Sequence, residues 1–388
     1  MLRFLERRGS NCHKYDSDGV GDCLPMTIAD MDVATPDCVH EAIMRRARHG
    51  AFGYTFVPQG YYDSVVNWFG RRHGWEFDTG DIVYTTGVVP AISSVLRALT
   101  LPGDGVITQT PAYNCFFSSV RNMGCELLRN PLIHSDGGYV IDFEGLERLA
   151  SHERARVILL CNPHNPSCRV WSREELGRVV DIARRHKLWI VSDEIHCEFV
   201  QRGFCYTPVA LVANGVHDRV VVCASPSKAF NIAGLQTANI ICGDDEARER
   251  IVRAVNIHET CDLNPFGVEA LMAAYSAEGA KWLCELNEHI GLNYGILRDA
   301  LHELAPTVGI TRLEGTYLAW LDVSNLGRNS EDVVEHVARR GKVLLNAGSL
   351  YGDDGEGFVR VNMACAGDVM AEASRRIAMA LGELAVEQ

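Results

Sequence analysis

The stretch Ser225-Pro226-Ser227-Lys228-Ala229-Phe230-Asn231-Ile232-Ala233-Gly234-Leu235-Gln236 sets one lysine directly after two seryl hydroxyls and ahead of a glycine. The five apolar residues before it, Val220 to Ala224, predict a buried strand whose carboxyl end delivers the hydroxyls and the lysine into a crevice. A buried ammonium is costly unless it is paired or neutralised, so Lys228 either reaches solvent as an ordinary loop lysine or is chemically employed.

Working outward, other strand ends carry polar residues of the same kind. Asp81–Pro90 reads as a strand, a turn at Gly87 and a helix running to about Thr100; a helix start suits a phosphate because its first N–H groups point outward. Val106–Gln109 feeds Thr110-Pro111-Ala112-Tyr113, and an aromatic there either offers a flat face to a ring or simply packs. The apolar run Val157–Cys161 leads into Asn162-Pro163-His164-Asn165-Pro166-Ser167-Cys168, and Leu188–Ser192 ends in Asp193-Glu194-Ile195-His196. In Gly357-Phe358-Val359-Arg360-Val361-Asn362 an arginine inside an apolar strand needs an anion, either a structural carboxylate or a ligand's.

Helices are predicted over 36–49 with Thr35 as N-cap, over 172–186 with a Ser172/Glu175 capping box, and over about 279–304, 330–340 and 368–383. There is no internal repeat and no low-complexity linker. At 388 residues the chain is long enough for two lobes. A net charge of −13, with only the short basic run Arg45–Arg48, argues against a nucleic-acid partner. Gly-x-Gly-x-x-Gly and P-loop patterns are missing, which disfavours nicotinamide and P-loop nucleotide sites. The 14 cysteines form no Cys-x-x-Cys, so they read as reduced structural thiols and no metal is expected. Without a signal-peptide core or a membrane-length apolar run, the expectation is a cytoplasmic protein with no membrane partner.

Taken together, Ser-x-Ser-Lys with Phe-Asn and Ala-Gly-Leu-Gln, Asn-Pro-x-Asn-Pro, Asp-Glu-x-His and the late arginine resemble fold type I pyridoxal phosphate (PLP) enzymes of the aminotransferase class I/II family, in particular its MalY/PatB-type cystathionine β-lyase branch. The resemblance spans Leu24 to Arg360. It implies an α/β fold, with a large domain built on a mostly parallel seven-stranded sheet plus a smaller α+β domain. The expected division is 1–45 as N-terminal arm and part of the small domain, 46–280 as the large PLP-binding domain and 281–388 as the C-terminal small domain.

The resemblance also implies roles. Lys228 would be the catalytic, cofactor-bearing lysine. The phosphate would be held by the Val88 and Val89 amides, Ser225 and Ser227, and by Tyr54 from the neighbouring subunit of a homodimer; a half-buried core tyrosine is the other reading of Tyr54. Tyr113 would stack on the pyridine, Asn165 would donate to the phenolic oxygen, and Asp193 would face the ring nitrogen. His196 would either tune the cofactor or donate to a local carbonyl. Arg360 would clamp the α-carboxylate of an amino-acid substrate, and Asp30, in the Ala29-Asp30-Met31-Asp32 arm, would either meet substrate or serve a turn.

Departures are Ser167-Cys168 where the family has Thr-Gly, Gln236 where transaminases place an arginine, and Ala347-Gly348 in place of Pro-Gly. The implied activity is a C–S β-lyase releasing a thiol, pyruvate and ammonia from an S-substituted cysteine. The alternatives are an aminotransferase, a decarboxylating or oxidatively deaminating enzyme on such a substrate, and a non-enzymatic regulatory partner.

Overall fold

The computed structural model describes residues 2–135, 138–213, 215, 218–259 and 262–386. Its largest sheet has seven strands: β1 (Ile82–Thr85), β2 (Gly105–Thr110), β3 (Glu126–Pro131), β4 (Ala155–Cys161), β5 (Trp189–Asp193), β6 (Val220–Ala224) and β7 (Ala238–Ile241), in the spatial order β1-β7-β6-β5-β4-β2-β3. β7 is antiparallel to both neighbours, whereas β6, β5, β4, β2 and β3 pair in parallel. The continuous apolar runs seen in the sequence follow from this. Every residue of β6 is buried, as expected for a strand covered on both faces. Each fully buried valine there contributes about 1.5–3 kcal/mol of burial.

Helices pack on the sheet and on one another. Among them are α1 (Asp37–His49), which packs on the helix Pro265–Ala274, and α2 (Gln59–His73), α3 (Val88–Leu99), α4 (Asn114–Asn122) and α5 (Arg173–Arg185). The capping box of α5 forms as the sequence predicts: Ser172 Oγ accepts from the Glu175 amide, and Glu175 Oε2 accepts from the Ser172 amide. The predicted Thr35 cap does not form. Pro36 is the N-cap of α1, with no side-chain cap, and the Thr35 hydroxyl is buried without a partner among the described residues.

The long helix α6 (Ala277–Leu304) leads to a four-stranded sheet of β8 (Gly309–Ile310), β9 (Leu318–Asp322), β10 (Asn346–Ala347) and β11 (Phe358–Asn362), in the order β8-β9-β11-β10. The final helix α7 (Gly367–Val386) packs along α6. Leu24–Pro25 pairs in parallel with Val343–Leu344, which ties the N-terminal segment to the C-terminal lobe before it crosses back toward β6. Crevices at the carboxyl ends of parallel strands are where such sheets bind ligands. The polar motifs at the ends of β1, β2, β4, β5 and β6 therefore share one edge.

Candidate active site

Lys228 lies four residues past the end of β6, and its Nζ donates 2.6 Å to the carbonyl of Ala29. The chain has five lysines. Lys187, Lys281 and Lys342 are exposed, and Lys14 is buried but bonded at 2.8 Å to the Asp32 carboxylate. Only Lys228 is withdrawn from water without a carboxylate in contact among the described residues. Burial lowers its pKa; Asp30 and Asp193 oppose that, and Arg360 adds to it. A lowered pKa suits a nucleophilic or proton-accepting amine.

Asp193 closes β5 and is 4% exposed. Among the described residues its carboxylate accepts one hydrogen bond, from the Ile195 amide at 3.1 Å, and burial pushes its pKa up to about 7. His196 is buried with Nδ1 unpartnered among the described residues. Burial, then the charges of Lys228 and Arg360, push its pKa down to about 3, so the imidazole is neutral.

Arg360 sits within β11, opposite Trp320 of β9 and Asn346 of β10. One terminal nitrogen donates to Asn165 Oδ1 at 3.1 Å and the other to the Thr27 carbonyl at 2.9 Å, while the guanidinium lies 5.0 Å from the centre of the Tyr351 ring. Its Nε is buried without a partner, and no carboxylate pairs with Arg360 among the described residues. The structural ion-pair reading of this arginine is thus not what the fold builds.

At the other end of the crevice, Gly87 is the N-cap of α3 and is followed by Val88, Val89 and Pro90. Pro90 has no N–H and the Ala91 amide bonds Gly87 at 2.9 Å, so the outward donors of the first turn are Val88 and Val89. Ser225 Oγ and Ser227 Oγ are 2.6 Å apart, and Ser225 donates to the Thr237 carbonyl at 2.6 Å. Tyr113, half-buried, is the N-cap of α4, and burial raises its hydroxyl pKa. Gln236 is exposed in a left-handed turn.

Two residues stand apart from this cluster within one chain. Tyr54 is 101% exposed, flanked by Phe52 and Phe56 at 57% and 86%, which rules out the core-tyrosine reading. Asp30 directs its carboxylate to Arg7 at 2.8 Å, although its charge still reaches Lys228.

The Ser167-Cys168 departure resolves simply. Cys168 occupies the positive-φ conformation that glycine would favour, at φ 64°, so the turn is kept and not rebuilt. Its buried thiol lies 2.9 Å from the Leu318 carbonyl on β9. The Asn165 turn is thereby held against the sheet that carries Arg360.

Four further residues shape the site. Tyr317 donates its hydroxyl to the Ala29 carbonyl at 3.0 Å and meets the His196 ring edge-on at 5.8 Å. Asn231 and Asn362 hold the arm's backbone, and Tyr351 covers one face of Arg360. Asn231, half-buried, and Asn362, buried, lie inside the lysine and arginine motifs, where an amide amid apolar residues is the signal in the sequence. Tyr317 and Tyr351 carried none beyond their aromatic character.

The unpartnered Arg360 Nε and His196 Nδ1, and an Asp193 carboxylate with no cation in contact among the described residues, lie near enough to Lys228 for their charges to act on one another. Residues 21–377 match the aminotransferase class I and II family. The chain belongs to that family. It is 40% identical to cystathionine β-lyase PatB of Bacillus subtilis over 97% of this chain and 98% of that protein. It is 31% identical to protein MalY of Escherichia coli over 94% of each. Among solved structures it resembles cystalysin from Treponema denticola, which contains a pyridoxal 5'-phosphate cofactor (TM-score 0.94, 32% identity, 98% of each chain), and the PLP-bound C-S lyase from Staphylococcus hominis (TM-score 0.90, 31% identity, 98% of each chain). The family match and these likenesses bear out the expected fold.

Proposed function

We propose that the chain is a PLP-dependent C–S β-lyase that cleaves an S-substituted L-cysteine to a thiol, pyruvate and ammonia. The observation that carries it is the set of polar groups gathered around Lys228, of which the Arg360 Nε and the His196 Nδ1 are buried without a partner among the described residues. Their chemistry fits PLP and an amino acid: a carboxylate for a pyridine nitrogen, a neutral imidazole, hydroxyls with two helix-start amides for a phosphate, and a guanidinium edge for a carboxylate. The curated relatives at 40% and 31% identity, one of them named cystathionine β-lyase, support the same reaction.

In this reading Ser225, Ser227, Val88 and Val89 hold the phosphate, Tyr113 faces the ring, Asn165 and His196 border the phenolic oxygen, and Asp193 faces the ring nitrogen. Bound PLP supplies an electron sink for the charge left at the substrate's Cα. Arg360 fixes the α-carboxylate, where hydrogen bonds to charged groups contribute about 1.5–3 kcal/mol each. Lys228, as a neutral amine of lowered pKa, accepts the Cα proton. Loss of a thiolate from Cβ then completes an elimination. Gln236, in place of a transaminase arginine, favours this outcome over amino transfer.

The exposed Phe52, Tyr54 and Phe56 cluster supports a homodimer in which Tyr54 completes the partner subunit's phosphate site. The two sheets, within 82–241 and 309–362, are consistent with an arm of 1–45, a large domain of 46–280 and a small domain of 281–388. Free cysteines at every described position support a reducing, cytoplasmic setting. No helix among the described residues is long and apolar enough to cross a membrane.

The test is to incubate PLP-loaded protein with cystathionine and a panel of S-substituted cysteines, assaying pyruvate, thiol, keto acids and CO₂ together. Pyruvate with stoichiometric thiol, abolished in Lys228→Ala, is expected. Keto acid or CO₂ without thiol overturns the lyase reading.

A further inference from the structure

Lys228 Nζ donates to the carbonyl oxygen of Ala29 in the N-terminal arm, which also accepts from the Tyr317 hydroxyl. The arm's position is fixed from outside. Asn362 Nδ2 donates to the carbonyls of Ile28 and Asp30, at 2.5 and 2.7 Å, and Asn231 Nδ2 donates to those of Met31 and Val33, at 2.8 and 2.7 Å. Its two carboxylates are anchored by the preceding segment. Arg7 bonds Asp30 and the Met31 carbonyl, each at 2.8 Å, and lies 3.6 Å from Asp32. Asp32 in turn accepts from Lys14 and the Tyr15 hydroxyl, each at 2.8 Å.

We propose that Arg7 is a positioning residue for the reaction: its ion pair with Asp30 seats the Ala29 carbonyl on the Lys228 amine and offsets the Asp30 charge beside that amine. This rests on the reading of Lys228 as the catalytic amine. The Ala29 carbonyl is then the acceptor that orients the free amine, and Tyr317 shares it.

Charged and titratable groups act on Lys228 from every element around it: Asp30 from the arm, Arg360 from β11, Asp193 from β5, the Cys115 thiol from α4 and the neutral His196 imidazole beyond β5. Asp30 favours the ammonium form, and Arg7 weakens that effect by occupying the same carboxylate. The two ends of the pair must therefore act on Lys228 with opposite sign. Removing Arg7 leaves Asp30 uncompensated and favours the ammonium; removing the Asp30 charge disfavours it. An arm that merely holds structure would be loosened by either change and would give both the same sign.

The test uses full-length wild type, Arg7→Gln, Asp30→Asn and the double variant. PLP-loaded protein is first reduced with borohydride and mapped by peptide mass spectrometry to establish which lysine carries the cofactor. Cofactor-stripped protein is then reductively methylated across a pH series, and the extent of labelling at Lys228 gives its titration midpoint. With Lys228 as the trapped residue, Arg7→Gln is expected to raise the midpoint and Asp30→Asn to lower it, each by about half a pH unit, at or below the lower end of what a nearby charge moves. The double variant should follow Asp30→Asn, since Arg7 acts through that carboxylate. Equal or like-signed shifts, with Lys228 still trapped, overturn this inference alone. Trapping on another lysine overturns the functional reading on which it rests.

Discussion

Asp193 and Glu198 stand at the two ends of one buried segment, and the chain treats them in opposite ways. Glu198 accepts from Trp68 Nε1 at 2.6 Å, Arg72 Nε at 2.7 Å and His73 Nε2 at 2.8 Å. Burial pushes its pKa up, but His73, Arg72 and Trp68 outweigh burial and leave the carboxyl below its usual range. Among the described residues Asp193 has one amide donor and no cation in contact, so burial wins and its pKa rises to about 7. A buried charge whose partners are all in the chain is part of the scaffold. One whose partner is missing marks where a ligand enters. The same distinction separates Lys14, bonded to Asp32, from Lys228, bonded among the described residues to a carbonyl and to no carboxylate. His73, Cys197 and Glu198 come close enough together to suggest metal ligands, but the carboxylate oxygens of Glu198 are already taken by the three donors.

The largest effect that would break this comparison is at Lys228. Lys228→Ala should cut turnover by about 10⁴-fold or more, at the upper end of general acid–base effects, with thermal stability unchanged or slightly higher because an uncompensated buried amine is removed. Steady-state kinetics beside a melting curve checks both halves. Glu198→Gln should do the reverse. It strands Arg72 and should cost about 3–5 kcal/mol in denaturant unfolding, while KM and kcat of the folded fraction hold.

Asp193→Asn sharpens the contrast through pH. An unfolded aspartate titrates near about 3.9. In the folded, cofactor-free protein Asp193 titrates near about 7, so the folded state binds the extra proton between these values and stability falls as pH rises from about 4 to about 7. The variant should lose that slope in cofactor-free unfolding curves, yet bind PLP more weakly.

Arg360→Lys keeps the charge but loses the fork. It should raise KM roughly 10- to 100-fold with a smaller change in kcat, matching one or two lost charge-assisted hydrogen bonds. The smallest effect is at Cys168. Its substitution by glycine relieves a positive φ but deletes the thiol contact to β9, so a net change within about 1 kcal/mol is expected from calorimetry.

How much of this was legible beforehand follows from what each feature depends on. The strands β4, β5 and β6 were plain because strands covered on both faces are apolar throughout, and the residues at their carboxyl ends had to share an edge once the strands ran parallel. The α5 cap was local and formed as read. The Thr35 cap failed because Pro36 took that position and the hydroxyl was buried. Lys228, Asp193 and Arg360 stood out as charges beside apolar runs. Their open valences were not readable, since partners such as Thr27, Ala29 and Tyr351 come from distant segments and two of these act through backbone carbonyls. For the same reason the Arg7–Asp30 pair was invisible, and Asp30 read only as a turn or substrate carboxylate.

The most direct measurement is the PLP-dependent gain in Tm for wild type, Asp193→Asn and Glu198→Gln. If the open carboxylate serves the cofactor and the satisfied one serves the fold, wild type and Glu198→Gln gain equally on PLP binding, from different baselines, whereas Asp193→Asn starts at least as stable as wild type and gains much less. An undiminished gain in Asp193→Asn, or a gain lost in Glu198→Gln, would contradict the account.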